Sequence, residues 1–187
     1  MVSHSNQIGD FKAKFNGGTR PNRFVITGTM GGALQEKGDV EPVLVKAGSM
    51  PVQTLGILQI PFRGRVAKLP GDRVYAEWTF TMIDDIGGEE KEGGLRRKFE
   101  EWHAKFNKHE ENIVDKPETL SGTGDDYGEW TVVQLDMTGK EIPNRKIKLI
   151  NCWPVEVGGI ELSYDTADTL TEYSITLAYD YLILAEK

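Results

Sequence analysis

Val74-Tyr75-Ala76-Glu77-Trp78-Thr79-Phe80-Thr81-Met82 alternates in a way that sets the fold class: Val74, Ala76, Trp78, Phe80 and Met82 fall on one side of an extended chain, and Glu77, Thr79 and Thr81 on the other. Successive side chains of a strand point to opposite faces, so this stretch predicts a strand with one face against a core. The same logic returns near the C-terminus, where Tyr173, Ile175, Leu177, Tyr179 and Tyr181 alternate with Ser174, Thr176, Ala178 and Asp180. Two one-faced strands need a second layer to cover them, which predicts a sandwich or barrel. Shorter strand candidates fill out two sheets: 24–27, 43–45, 130–135, 146–150 and 160–164.

Outward from these strands, the 21 glycines act as punctuation, with pairs at 17–18, 31–32, 87–88, 93–94 and 158–159. That spacing fits short strands joined by turns. One segment breaks the pattern: Leu95, Phe99, Trp102 and Phe106 recur at i, i+4, i+7 and i+11, which predicts a single amphipathic helix over about 95–107. The acid-rich run 84–92 before it and the polar stretch 107–127 after it read as surface loops. No repeat of solenoid period and no long low-complexity linker is visible, and 187 residues suit one domain, 1–187, with an N-terminal arm over about 1–20.

A hydrophobic share of 39% against 27% charged residues is enough for a packed core. The net charge of −7 opposes binding to a nucleic-acid backbone, so sequence-specific DNA recognition is not expected, although a conduit for a polyanion benefits from walls that do not hold it. Cys152 is the one cysteine, which excludes an intrachain disulfide and fits a reducing cytoplasm. The first residues lack a basic start and apolar run, and no apolar stretch is long enough to cross a bilayer, so a soluble protein made in the cytosol is expected.

Candidates for chemistry are weak. His103 and His109 lack a third ligand nearby, and Asp84-Asp85 and Asp125-Asp126 sit in Gly-rich surroundings where solvated turn acids are the ordinary outcome. The Gly-rich stretch 28–33 matches neither a phosphate loop nor a dinucleotide fingerprint, and Cys152 beside Trp153 reads as a small core residue. Arg96-Arg97-Lys98 reads as a solvated helix face with charge pairs one turn away. The expectation is a protein without catalytic residues, cofactor or metal. An enzyme on a β-sandwich or a carbohydrate-binding module fits the composition, but the aromatic residues fall on apolar strand and helix faces rather than on an exposed platform.

Several blocks, in order, resemble the tail tube proteins of contractile-tailed bacteriophages. Arg20-Pro21-Asn22-Arg23-Phe24 looks like the start of that family's first strand, and Lys46-Ala47-Gly48-Ser49-Met50-Pro51 like the loop after its second. Ile60-Pro61-Phe62-Arg63-Gly64-Arg65, then Leu69-Pro70-Gly71-Asp72-Arg73, is similar to its central block. Leu95-Arg96-Arg97-Lys98-Phe99-Glu100-Glu101-Trp102 resembles its helix, and Asn151-Cys152-Trp153-Pro154-Val155-Glu156-Val157-Gly158 with the strand 175–181 its C-terminal half. The stretches 29–41 and 107–128 depart from the family pattern.

The resemblance implies a mainly β, two-sheet sandwich or barrel with one amphipathic α-helix, whose sheets join between subunits into a hexameric ring. Rings would stack into a hollow tube in the virion, inside a sheath protein, passing first a tape-measure protein and then DNA. A baseplate tube initiator and a tail terminator are implied as further partners. The inner tube or tube initiator of another contractile injection system, including the type VI secretion ring, is the nearest alternative. Two residue-level expectations follow: Arg63, Arg65 and Lys68, between Pro61 and Pro70, make inter-ring contacts together with the N-terminal arm, and Glu77, Thr79 and Thr81 face the lumen.

Overall fold

Three helices and nine strands follow one another in the computed structural model, which describes residues 8–15, 18–31, 44–86, 94–114, 116–121 and 124–184. In chain order they are α1 (Ile8–Phe15), β1 (Phe24–Thr29), β2 (Val45–Gly48), β3 (Gln53–Phe62), β4 (Arg65–Tyr75), β5 (Trp78–Ile83) and α2 (Gly94–Phe106). Then come α3 (Pro117–Leu120), β6 (Gly128–Leu135), β7 (Glu141–Val157), β8 (Glu172–Ala178) and β9 (Tyr181–Leu184).

The 17-residue β7 organises the fold. Its first part pairs with β6 on one side and β9 on the other, through Ile147↔Val132 and Ile147↔Leu184; its last part pairs with β8, through Trp153↔Ala178 and Val157↔Ile175. Between the two parts Asn151 takes φ 55°, a left-handed conformation that asparagine tolerates better than most residues. Opposite that bend the chain is also broken, at Tyr179-Asp180 between β8 and β9. The result is one sheet folded into two leaves, β1-β6-β7-β9 and β7-β8-β5-β2, not closed into a barrel. A strand that changes sheets at a bend is how such corners are made.

The leaves enclose the core that the alternation predicts. Trp78, Phe80 and Met82 of β5 and Tyr173, Ile175 and Leu177 of β8 are buried, with Trp130, Leu149 and Cys152 from the other leaf. The rings of Trp78, Phe80 and Phe99 all lie around Trp130, at centroid distances of 6.1, 4.9 and 6.0 Å. Each such side chain removed from water contributes about 2–3 kcal/mol. Gly28, the cross-strand partner of Trp130, has no room for a side chain: a Cβ there would lie 2.1 Å from Trp130 Cδ2.

Helix α2 covers this core as its spacing predicts, burying Leu95, Phe99 and Trp102 against β7. Asp85 accepts a hydrogen bond from the Leu95 N–H at 2.9 Å, so this acid caps the helix rather than standing in solvent. Arg97 is exposed and pairs with Glu101 at 3.1 Å, but its neighbours in the basic run are not a solvated face. Lys98 is buried, and Arg96 donates to the Gly158 carbonyl at 2.6 Å with its guanidinium over the Tyr173 ring.

The structure corrects other expectations. The 74–82 stretch is two strands, because the chain leaves β4 at Tyr75 and turns through exposed Ala76 and Glu77; Val74 is 60% exposed. The strand at 173–181 breaks likewise, leaving Tyr181 exposed on β9. Residues 161–164 are exposed and irregular rather than a strand. Lys46–Gly48, expected in a loop, lies in β2. The presumed loop 107–127 contains α3 and turns inward: Thr119 and Asp126 are buried and joined by a hydrogen bond of 2.6 Å, and Trp102 Nε1 donates to the Asp126 carbonyl. Two helices beyond α2 are present, not one helix in all. Val43, residues 87–92 of the acid-rich run, most of the divergent 29–41 stretch and residues 1–7 of the arm lie outside the described residues.

Candidate assembly surfaces

β3 and β4 form a hairpin that pairs with no other strand among the described residues. Its tip, Arg63-Gly64, has positive φ at both positions, 46° and 78°, as a two-residue turn matched to strand twist requires. Register places Phe62, Ile60, Ala67, Leu58 and Leu69 on one face and Pro61, Val66, Ile57 and Pro70 on the other. The large side chains of both faces are exposed, Phe62 by 64%. The prolines are tolerated because each strand of an isolated pair has an outer edge that needs no N–H.

A two-stranded ribbon with apolar residues on both faces is marginal alone in water and calls for another surface. Its base is fixed to the sandwich: Tyr75 packs on Tyr179 with ring centroids 5.7 Å apart, and the Tyr179 hydroxyl donates to the Val52 carbonyl at 3.4 Å. Trp78 Nε1 donates to the Ser49 carbonyl at 2.7 Å just before β3. The hairpin is thus held at its root and bare beyond it.

Arg63, Arg65 and Lys68 all lie on this hairpin and are exposed, but they do not form one cluster. Arg63 occupies the tip, with its guanidinium 5.4 Å from the Phe62 ring centre. Arg65 is opposite Phe62, whereas Lys68 is opposite Gln59, on the other face. Together with Arg73 they make the hairpin basic, Asp72 being its sole acid, in a chain of net charge −7.

Glu77, Thr79 and Thr81 are placed differently again. Thr79 and Thr81 look out from β5 in rows with Thr176 and Ser174 of β8, and the Thr79 and Thr176 hydroxyls are 3.1 Å apart. Glu77 sits in the turn before β5, exposed and outside the strand. The outer face of this leaf is therefore carpeted with small hydroxyls, with the ion pair Lys46–Glu172 at its β2 end.

Sheet edges supply a further surface that alternation alone does not reveal. Among the described residues, strands β1 and β2 end the sheet path, and β9 pairs only with β7. On β9, Tyr181, Ile183 and Leu184 are exposed. Open edges of this kind template pairing with another chain.

Cys152 and Asp126, two of the candidates for chemistry, are held inside the structure. Cys152 is fully buried, and burial pushes its thiol up to about 12. Asp126 lies 3.9 Å from Lys105 and accepts from Thr119, fastening the 107–127 segment to α2. His103 and His109 stack with ring centroids 6.2 Å apart, and among the described residues no three His, Cys, Asp or Glu side chains are grouped to hold a metal.

A family model described as phage tail tube protein matches residues 19–184. Tail tube protein gp19 of Enterobacteria phage T4 is 23% identical over 180 residues, covering 96% of each chain. The tail tube protein of Serratia phage KSP90 is 25% identical over 137 residues, 73% of this chain and 71% of that one. Among solved structures, a chain of the sheath–tube complex of an extracellular contractile injection system, in its extended state, superposes with a TM-score of 0.60. It is 14% identical, and the match covers 98% of this chain and all of that one.

Proposed function

Because this chain belongs to the phage tail tube protein family, we propose that it is the structural, non-enzymatic subunit of a contractile tail tube, assembling into hexameric rings that stack around a channel for DNA. The observation that carries the reading beyond family membership is the β3–β4 hairpin, basic and apolar on both faces, outside the sandwich of an acidic chain. A head-to-tail contact between unlike patches propagates, and it closes into a ring when the rotation allows. Edge strands β1, β2 and β9 offer the ring contact by sheet extension, and the hairpin offers the contact between rings, with Arg63, Arg65 and Lys68 meeting acidic neighbours.

In this reading the hydroxyl face of β5 and β8 lines the channel, with Thr79 and Thr81 inward and Glu77 at its margin. Such a wall offers DNA hydrogen-bonding partners of no fixed charge and few cations to hold it. The tail sheath, the tape-measure protein, a baseplate initiator and a tail terminator are the partners this role entails, in the virion tail. The tube of another contractile injection system is the second reading, supported by the shared fold alone. Imaging of the purified protein for rings and tubes tests the role, and the nature of the cargo separates the two readings.

A further inference from the structure

Helix α1 carries Ile8, Phe11 and Phe15 on one stripe, all exposed, with the Phe11 and Phe15 rings stacked at 5.2 Å and no residue of the helix buried. At about 100° per residue, Lys12 falls on one flank of the stripe and Lys14 on the other, with Asp10 behind. A helix of eight residues does not hold itself together in water, so this apolar stripe with two cationic flanks needs a cover.

A groove of about 490 Å³ between α2 and the end of β7 has the opposite character. Its apolar lining is Ala104, Val155 and Val157, and three carboxylates stand around it: Glu100 and Glu101 from α2 and Glu156 from β7. Glu100 and Glu101 also pair along the helix with Arg96 and Arg97, yet among the groove's own lining the carboxylates outnumber the cation Arg97. His103 and His109 complete the lining.

We infer that α1 of one subunit docks in the α2–β7 groove of another, with Phe11 and Phe15 in the apolar floor and Lys12 and Lys14 against the glutamates on either side. The inference rests on the tube-subunit reading and assigns the N-terminal arm its seat. Apolar burial anchors the helix, and the charges fix its orientation and make the contact weaken with salt.

The test compares assembly of full-length variants by negative-stain imaging and sedimentation, with circular dichroism to verify folding. Phe11→Ser with Phe15→Ser touches no core residue, so it is expected to fold normally and to lose tubes. Lys12→Glu with Lys14→Glu is expected to weaken the association constant of the contact about tenfold, the effect of losing roughly 1.4 kcal/mol. Glu101→Lys with Glu156→Lys, one glutamate from each wall of the groove, should do the same, and the four-residue swap should restore assembly. Normal tubes from the Phe11/Phe15 variant would overturn the inference. So would tubes lost on α1 substitution but not restored by the swap, because α1 would then seat elsewhere. Wild-type protein that forms no rings at all would instead overturn the tube reading itself.

Discussion

Asn151 donates from Nδ2 to the Asp180 carboxylate at 2.7 Å, and the Asp180 N–H donates to the Ile150 carbonyl at 3.1 Å, so the two facing strands are tied together where both of them bend. This clamp converts one seven-stranded sheet into two leaves and thereby creates the core. It also directs β9 away from β8, leaving β9 as an open edge.

Replacing Asn151 separates its two contributions. Asn151→Gly keeps the φ of 55° accessible and loses the side-chain bond, for an expected loss of about 0.5–1.5 kcal/mol. Asn151→Val adds left-handed strain at a β-branched residue and is expected to lose about 1–2 kcal/mol more. Urea unfolding of the unassembled protein measures both; equal losses would show that the backbone conformation is immaterial.

Gly28→Ala is expected to destabilise by about 1–3 kcal/mol, because a Cβ would overlap the fully buried Trp130 ring, which Trp78, Phe80 and Phe99 hold in place. The open-space position Gly9 on α1 provides the control, where alanine meets nothing within 4 Å and raises helix propensity. Thermal or urea unfolding of the two variants checks the contrast.

Alkali should unfold the protein through its buried acids. Burial raises the Cys152 thiol from 9.0 to about 12, and Tyr127, Tyr173 and Tyr179 are also raised, chiefly by burial. For a group raised on folding, stability is complete below its unfolded value and falls as pH climbs toward the folded one. The Cys152 contribution is therefore intact at pH 8 and declines above about pH 9 by up to about 1.4 kcal/mol per unit. Urea unfolding across pH 8–11 should show the fall, shallower in Cys152→Ser, and a thiol reagent at pH 8 should label Cys152 only after unfolding.

Charge reversal at the hairpin tip, Arg63→Glu with Arg65→Glu, should leave folding intact because both side chains lie outside the core, and should weaken stacking of rings. Lys68→Glu acts on the other face, so its effect should add to theirs within about 0.5 kcal/mol. Sedimentation of the variants at several salt concentrations measures this. Assembly unchanged in all three would remove the hairpin from the contact.

Much of this architecture is legible from period alone, and the failures share a cause. Trp78, Phe80, Met82, Ile175 and Leu177 are buried as their alternation dictates, and Leu95, Phe99 and Trp102 as their helical spacing dictates. Alternation cannot tell a face that meets its own core from one that awaits a neighbour, so Val74 and Tyr181 read as core and are exposed. The β3–β4 hairpin hides for the same reason: Leu58, Ile60 and Phe62 alternate properly, but Pro61, Pro70 and the Arg-Gly tip look like loop. Asp126 reads as a solvated turn acid because its partners, Thr119 of α3 and Lys105 of α2, come from two helices whose approach only tertiary packing sets.

This chain is built to assemble with itself into a tube. Electron microscopy of the purified wild-type protein, raised in concentration at low salt, tests it most directly. Six-fold rings are expected and, from them, hollow tubes of uniform diameter whose length shortens as salt is raised. A stable monomer that shows neither rings nor tubes at any concentration, with its hairpin and sheet edges exposed to solvent, would contradict it.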